Sequence, residues 1–292
     1  MCKSEITLCK FLKLLLEIEF YKIVIHLAFV TTDYIHFSFI DFMWFLVPIH
    51  NVTDDFVACY LVFFLFIPFL NVLIGNLSQS QHLLLILLCV GLYSIWNTLP
   101  NIGVGTNDSI WFCILYAISS YLRLYPLKKD KDNGYWLWLM SLSIGLAVLS
   151  VLLILWLSQY GLSLEAYTAV GWPNSPLALI VSICAFMFFK GLKMKQSRFI
   201  NIVGGGTFGV LLIHANNDTM RQWLWRDVFD NAGHYVSNAI YLHAILVPII
   251  VFVVCSAIEY VRMKTVEKPI LNFTYNLVQK QYQKSVRCRK RT

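Results

Sequence analysis

Apolar runs long enough to cross a membrane recur from one end of the chain to the other, separated by short polar stretches. A spanning helix needs roughly 17–25 mostly apolar residues. Eight stretches come near that length: 11–30, 56–75, 82–99, 109–126, 136–158, 176–192, 199–216 and 239–261. The pattern predicts an all-α polytopic membrane protein with about eight transmembrane helices. The first stretch is the most polar, with Lys13, Glu17, Glu19 and Lys22 inside it. Lys13 and Glu17 are four residues apart and can pair on one helix face. Such a face must turn toward protein rather than lipid. The stretch from Phe37 to Pro48 is apolar but too short to span, which predicts a piece lying in or on the membrane.

Composition agrees with this pattern. Of 292 residues, 58% are hydrophobic and 13% charged, against about 25% charged in a soluble domain. The apolar runs cover the chain without a linker or an internal repeat, so residues 1–292 read as a single membrane domain. The cysteines form no CxxC pair and no zinc-like spacing; Cys89, Cys113, Cys184 and Cys255 lie inside apolar runs, as small buried hydrophobes do. The start, MCKSEITLCKFLK, has no small-residue cleavage site after its apolar part and does not read as a signal peptide.

The net charge of +7 is mostly a topology signal. Segment 31–55 carries four aspartates and no lysine or arginine, and segment 159–175 carries no basic residue. LKKDKDNGY at 127–135, KGLKMKQSR at 190–198 and the tail 262–292 hold most of the basic residues. With eight spans and the N-terminus inside, these basic loops all fall on the cytoplasmic side, as the positive-inside rule requires. Both termini are then cytoplasmic, and the RCRKR tail lies against anionic headgroups. No feature points to nucleic acid.

Polar chemistry concentrates in one late stretch, GGGTFGVLLIHANNDTMRQWLW, Gly204 to Trp225. A helix starting near Phe199 on the inside carries His214 roughly 22 Å across a core of about 30 Å. His214 then sits toward the outer face. If the helix continues, Asn217, Asp218 and Arg221 share its face. That arrangement reads either as a pocket for an acceptor hydroxyl, or as an interfacial histidine beside a solvated loop with Trp223 and Trp225 as anchors. Gly204 to Gly206 suit close packing or a bend and are no phosphate loop. Arg123, in YLRLYP, either snorkels or meets an anionic ligand from the cytoplasm. His26 reads as a packing residue, Asn71 and Asn97 as interhelical hydrogen-bonding groups, and Glu259 as a surface partner of Arg262 or Lys264. No Ser-His-Asp set, HExxH or metal cluster is visible, so no metal and no cofactor is expected.

Several stretches resemble the membrane-bound acyltransferase 3 family, which modifies sugars on bacterial surface polysaccharides. GTFGVLLIHANNDTMRQWLW resembles the family's late segment of small residue, Phe-Gly, aliphatic run and His. ILYAISSYLRLYP resembles its Tyr…Gly/Ser-x-Tyr-x-Arg span. FMWFLVPIHNVTDDFVACYLVFFLFIPFLNVLI resembles its Trp-Phe…Pro-Phe-Leu-Asn region, and VEKPI its closing Glu-Lys-Pro. The resemblance implies transfer of an acyl group, acetyl in the first instance, from cytoplasmic acyl-CoA to a hydroxyl of an external sugar or polysaccharide. It implies a cell-membrane location, a catalytic-site role for His214, acceptor binding by Asn217, Asp218 and Arg221, and acyl-CoA binding by the basic rim of Lys10, Lys13 and Arg123.

The family has ten spans, and the match begins at its third. Its first-helix motif, Arg/Lys followed by the catalytic-base His, has no counterpart here, and the family's Arg-x-x-Arg is present as Lys10-Phe-Leu-Lys13. The resemblance therefore also implies a form lacking the first two helices and inactive by itself. Two other function classes fit the same layout. A transporter or flippase for a sugar or lipid-linked glycan would use the polar cavity and break no bond. A purely structural membrane subunit would leave the cluster from His214 to Arg221 unexplained.

Overall fold

The computed structural model describes residues 3–47, 49, 55–98, 107–126, 132–161 and 165–269, and these form helices and turns with no strand among them. The helices are α1 (Lys3–Thr31), α2 (Phe39–Phe45), α3 (Phe56–Asn76), α4 (Gln79–Val90), α5 (Asp108–Leu124), α6 (Asn133–Ser158), α7 (Pro176–Gly191), α8 (Arg198–Gly205), α9 (Thr207–His214), α10 (Asp218–Gln222), α11 (Asn231–His234) and α12 (Ile240–Arg262). Short π-helical turns extend three of them, over Gly91–Ile95, Trp223–Val228 and Met263–Glu267. Among the described residues, helix covers most of each of the eight apolar stretches. Phe56–Asn76, Gln79–Thr98, Asn133–Ser158 and Ile240–Glu267 are each long and apolar enough to cross a membrane. Arg198–His214 and Asp218–Val228, bent by 90° at a short break, make a fifth if the pair counts as one. Phe69, Val72, Leu149, Leu152, Ile245 and Val253 stand exposed on these helices. Surfaces this apolar suit lipid, where a helix satisfies its own backbone.

Helix ends follow local chemistry. Asp55 accepts from the Val57 amide at 2.8 Å and starts α3. Ser78 and Gln81 form a reciprocal capping box that starts α4. Asn107 caps α5, Pro176 occupies the first turn of α7 and Ser197 caps α8.

The chain divides into two compact units, residues 49–195 and residues 1–48 with 196–292. In the first, α3 packs on α5 through Tyr60, Phe63, Phe112 and Tyr116. The Tyr116 hydroxyl donates to Asn71 Oδ1 at 2.7 Å, the interhelical hydrogen bond expected of Asn71. Trp111, Ile114, Ile118 and Leu179 form a buried core, and α6 packs along α7. Asn174 donates to the Tyr93 carbonyl at 2.7 Å, satisfying a backbone group within the π turn.

In the second unit α9 packs against both α1 and α12. The stretch 37–48 contains the seven-residue helix α2, and His26 lies buried on α1 with its ring centroid 5.3 Å from that of Phe42. This is a packing environment for His26. Cys89, Cys113, Cys184 and Cys255 form no disulfide; Cys184 and Cys255 are buried.

The Asn71–Tyr116 bond gives a direct energetic test. A double-mutant cycle of Asn71→Ala and Tyr116→Phe in detergent-solubilised protein should yield a coupling of about 0.6 kcal/mol, at most about 1.7. A coupling indistinguishable from zero would mean the bond does not hold α3 to α5.

Candidate functional site

Among the described residues, buried charge concentrates where α1 meets α12 and its π-helical extension. Arg262 is 6% exposed, and Glu259, one turn before it, is 1% exposed. Arg262 grips Glu259 with both arms of its fork, Nε to Oε2 at 2.8 Å and Nη2 to Oε1 at 2.7 Å. The same Nη2 reaches Glu267 Oε2 at 2.9 Å and Glu17 Oε1 at 3.2 Å. Tyr21, 238 residues away in sequence, donates its hydroxyl to Glu259 Oε2 at 2.5 Å. Lys13 Nζ closes the outer edge on Glu267 Oε1 at 2.6 Å.

The local backbone makes room for this. Met263–Glu267 is wound as a π-helix, which brings Glu267 back to Arg262 five residues after it. Across the interface α9 offers no side chain where Glu259 sits. A Cβ at Gly206 would lie 3.0 Å from Glu259 Cγ, and a Cβ at Gly209 would fall on the carboxylate itself. The glycines are thus a notch for a charged group.

Burial makes these contacts high-stakes. A guanidinium removed from water is expensive unless paired and hydrogen-bonded, and removing one partner from a buried pair costs about 3–5 kcal/mol. Carboxylates gathered on one nitrogen also repel: at roughly 5 Å and an effective dielectric near 20 each pair costs on the order of 3 kcal/mol. Beside the network lies a cleft of about 240 Å³, lined by Lys13, Glu17, Glu19, Arg262 and Glu267 and walled by aliphatic side chains and Phe20.

Two expected pairings are corrected here. Lys13 pairs with Glu267 rather than with Glu17, because Glu17 turns inward to the buried guanidinium. Glu259 does pair with Arg262, but inside the protein rather than at its surface. The helix that holds Arg262 continues through the π turn to Glu267, so the proposed tail begins as ordered helix; its residues 270–292 lie outside the described residues. The loop 127–131 lies outside them too.

The late stretch breaks where continuation was the premise. The helix ends at His214, Ala215 leaves helical geometry, and the chain turns through 90° before α10. Two amides replace the interrupted ladder: Asn216 Nδ2 donates to the Leu212 carbonyl at 3.0 Å, and Asn217 Oδ1 accepts from the Met220 amide at 2.8 Å. Asn217 is therefore a helix cap. Asp218 and Arg221 form an exposed ion pair at 3.2 Å. His214 is half-buried, with Nδ1 2.7 Å from the Val210 carbonyl and its ring edge-on to Trp225. A carbonyl only accepts, so Nδ1 carries a hydrogen. Trp223 packs on Phe29, joining this segment to the end of α1, where Tyr34 also donates to Asp227.

Of the three residues of the expected basic rim, Lys10 and Lys13 lie on α1, Lys10 exposed and Lys13 held by Glu267. Arg123 is exposed in the last turn of α5, in the other unit. Sequence reasoning passed over His82, which is fully buried, with Nε2 3.0 Å from the Ala117 carbonyl and the ring edge-on to Tyr121. It also passed over Tyr21 and Gly209. The available signal was a set of ionisable residues in the first and last apolar stretches, each needing a partner that neither stretch supplies alone. Among the described residues no group of three or more His, Cys, Asp or Glu is arranged to hold a metal.

Comparisons with known protein families, with curated proteins and with solved structures return no match to the chain.

Filling the notch tests the network. Gly209→Ala should displace the Glu259 carboxylate and lower stability by about 1–3 kcal/mol, whereas Gly204→Ala, with open space around it, should not. Arg262→Ala should cost about 3–5 kcal/mol, and Arg262→Lys should not restore it, because lysine lacks the fork. Thermal unfolding of the purified protein in detergent reads all four.

Proposed function

We propose that this chain is a multi-pass cell-membrane protein with eight spans and both termini cytoplasmic, and that it serves acyl transfer from acyl-CoA to a hydroxyl of an external sugar or polysaccharide. The observation that carries the reading is the placement of His214: its Nδ1–H is engaged by the Val210 carbonyl, which fixes the ring beside a right-angled break in the helix. A positioned imidazole of this kind contributes roughly 10²–10⁴-fold as a general base. In the proposed step His214 takes the part of the first-helix base that the resemblance leaves missing: Nε2 takes the proton of the acceptor hydroxyl as its oxygen attacks the thioester carbonyl. The carbon–sulfur bond breaks, and the imidazolium returns the proton to the departing thiolate. Asp218 and Arg221, exposed beside the break, supply acceptor contacts. On α1, exposed Lys10 presents positive charge suited to the phosphates of acyl-CoA, and Lys13 does so while bridged to Glu267; in the other unit Arg123 presents the same kind of charge.

A transporter reading is favoured by one observation, the broken span itself, since discontinuous helices form substrate sites in transporters. Membrane vesicles bearing the protein separate the two readings. Acyl transfer makes labelled acetyl-CoA mark a glycan acceptor, whereas transport moves the glycan without labelling it.

Two outcomes follow. His214→Ala should lower transfer about a hundredfold or more while leaving acyl-CoA binding unchanged, and Arg123→Ala should weaken acyl-CoA binding instead. If both alter only the amount of protein in the membrane, the residues are structural. For topology, a cysteine placed at Lys129 should be labelled only from the cytoplasmic side and one at Ser163 only from outside. The reverse pattern inverts the proposed orientation.

A further inference from the structure

We propose that the cleft between α1 and α12 binds a small aliphatic primary amine, with Glu19 as the residue that holds its ammonium group. The inference does not rest on acyl transfer.

Glu19 stands apart from the ion network beside it. Arg262 directs its hydrogen bonds and ion pairs to Glu259, Glu267 and Glu17, and Lys13 closes on Glu267. Glu19 lines the same cleft, yet its Oε1 is buried and has no hydrogen-bond partner among the described residues. Lys22, one turn on along α1, attracts Glu19 through space. It donates nothing to Oε1 and is not part of the cleft wall. A buried carboxylate oxygen without a donor is costly, and a ligand that brings the donor relieves that cost.

The cleft supplies the place for such a ligand. Leu16 lies one turn before Glu19 and Ile23 one turn after it, and both line the cleft with it. Phe20 and Val266 extend the apolar wall. Glu19 thus meets the cleft among hydrocarbon, while Glu17 and Glu267 lie with the buried guanidinium. Rotation about the last bond of a glutamate side chain has broad preferences. It exchanges the two oxygens and turns Oε1 to the cleft.

Charge sets the sign of the occupant. The carboxylates of Glu17, Glu19, Glu259 and Glu267 face Lys13, Arg262 and Lys22, which leaves one negative charge in excess. The walls set its chemistry. A hard inorganic cation takes roughly six to eight oxygen ligands, and among the described residues no group of three or more His, Cys, Asp or Glu is arranged to hold a metal. A primary ammonium instead brings its own N–H donors, and its hydrocarbon covers Leu16 and Ile23. The cleft of about 240 Å³ equals roughly eight water volumes at about 30 Å³ each, so the hydrocarbon is a short chain. Leu16 and Ile23 begin directly beside the carboxylate. The ammonium must therefore join its chain without an intervening phosphate, which favours a free alkylamine over an ethanolamine phospholipid.

The test uses the full-length protein in phosphatidylcholine nanodiscs, with hexylammonium chloride as the probe and calorimetric titration against empty nanodiscs. Saturable binding is expected in the wild type, and its absence overturns the proposal. Glu19→Gln should weaken binding about ten- to a hundredfold. Ile23→Trp, which fills the cleft and leaves the carboxylate in place, should abolish it. Binding unchanged in Glu19→Gln, or retained in Ile23→Trp, would place the amine elsewhere and overturn the assignment.

Competition on the wild type gives a second reading that needs no variant to fold. Hexanol, hexyltrimethylammonium, sodium chloride and added phosphatidylethanolamine should each fail to displace hexylammonium at equal concentration. Displacement by hexanol would mean apolar filling alone, and by hexyltrimethylammonium charge without hydrogen bonding. Displacement by sodium would identify an inorganic cation, and by phosphatidylethanolamine a lipid headgroup. Any of these four results overturns the proposal.

Discussion

A guanidinium buried inside a hydrophobic helical assembly dictates much of what surrounds it. Arg262 cannot remain charged there without acceptors, and its own helix supplies Glu259 and, through the π turn, Glu267. The remaining acceptor, Glu17, comes from the opposite end of the chain. The first and last long helices of the unit are joined by this requirement, and Tyr21 and Lys13 complete the set from the same helix. Where aliphatic surfaces have little preference for one another over lipid, polar contacts of this kind decide which helices meet.

The sequence was informative where the signal was local. Apolar stretches became helices near their expected positions, and Ser78, Asn107, Pro176 and Ser197 began helices as their chemistry suggests. The candidate ionic site was less legible. Lys13 and Glu17 have the spacing of a helix-surface pair, but that spacing matters little beside a buried arginine that both helices must satisfy. Arg262 follows a long apolar run and reads as a residue reaching for the headgroups. Only the partners supplied by α1 reveal why it stays inside, and those lie more than two hundred residues away in sequence.

The stretch after His214 shows a second kind of illegibility. Spacings of three, four and seven place side chains on one face only while the helix persists. Asn216 and Asn217 carry the opposite message, since amide side chains compete with the backbone for its own hydrogen-bonding groups. Here they win, and the residues read as one stripe are divided between two helices at a right angle. His214 is the last helical residue before the turn, so its ring retains a carbonyl one turn back to orient it.

The glycine notch in α9 has a meaning beyond strength. Otherwise α9 and α12, which pack on one another, bury interchangeable aliphatics, Val210 and Ile213 on α9 and Val247 and Val251 on α12. Such surfaces slide and rotate past one another at little cost in a lipid solvent. A carboxylate seated over bare backbone does not. A slip of one residue, about 1.5 Å along the axis and 100° around it, would carry Glu259 out of the notch and away from Gly209. The notch is therefore an index mark: among many settings of two smooth cylinders it selects one angle and one height, and so fixes where every other side chain on α9, His214 included, is presented.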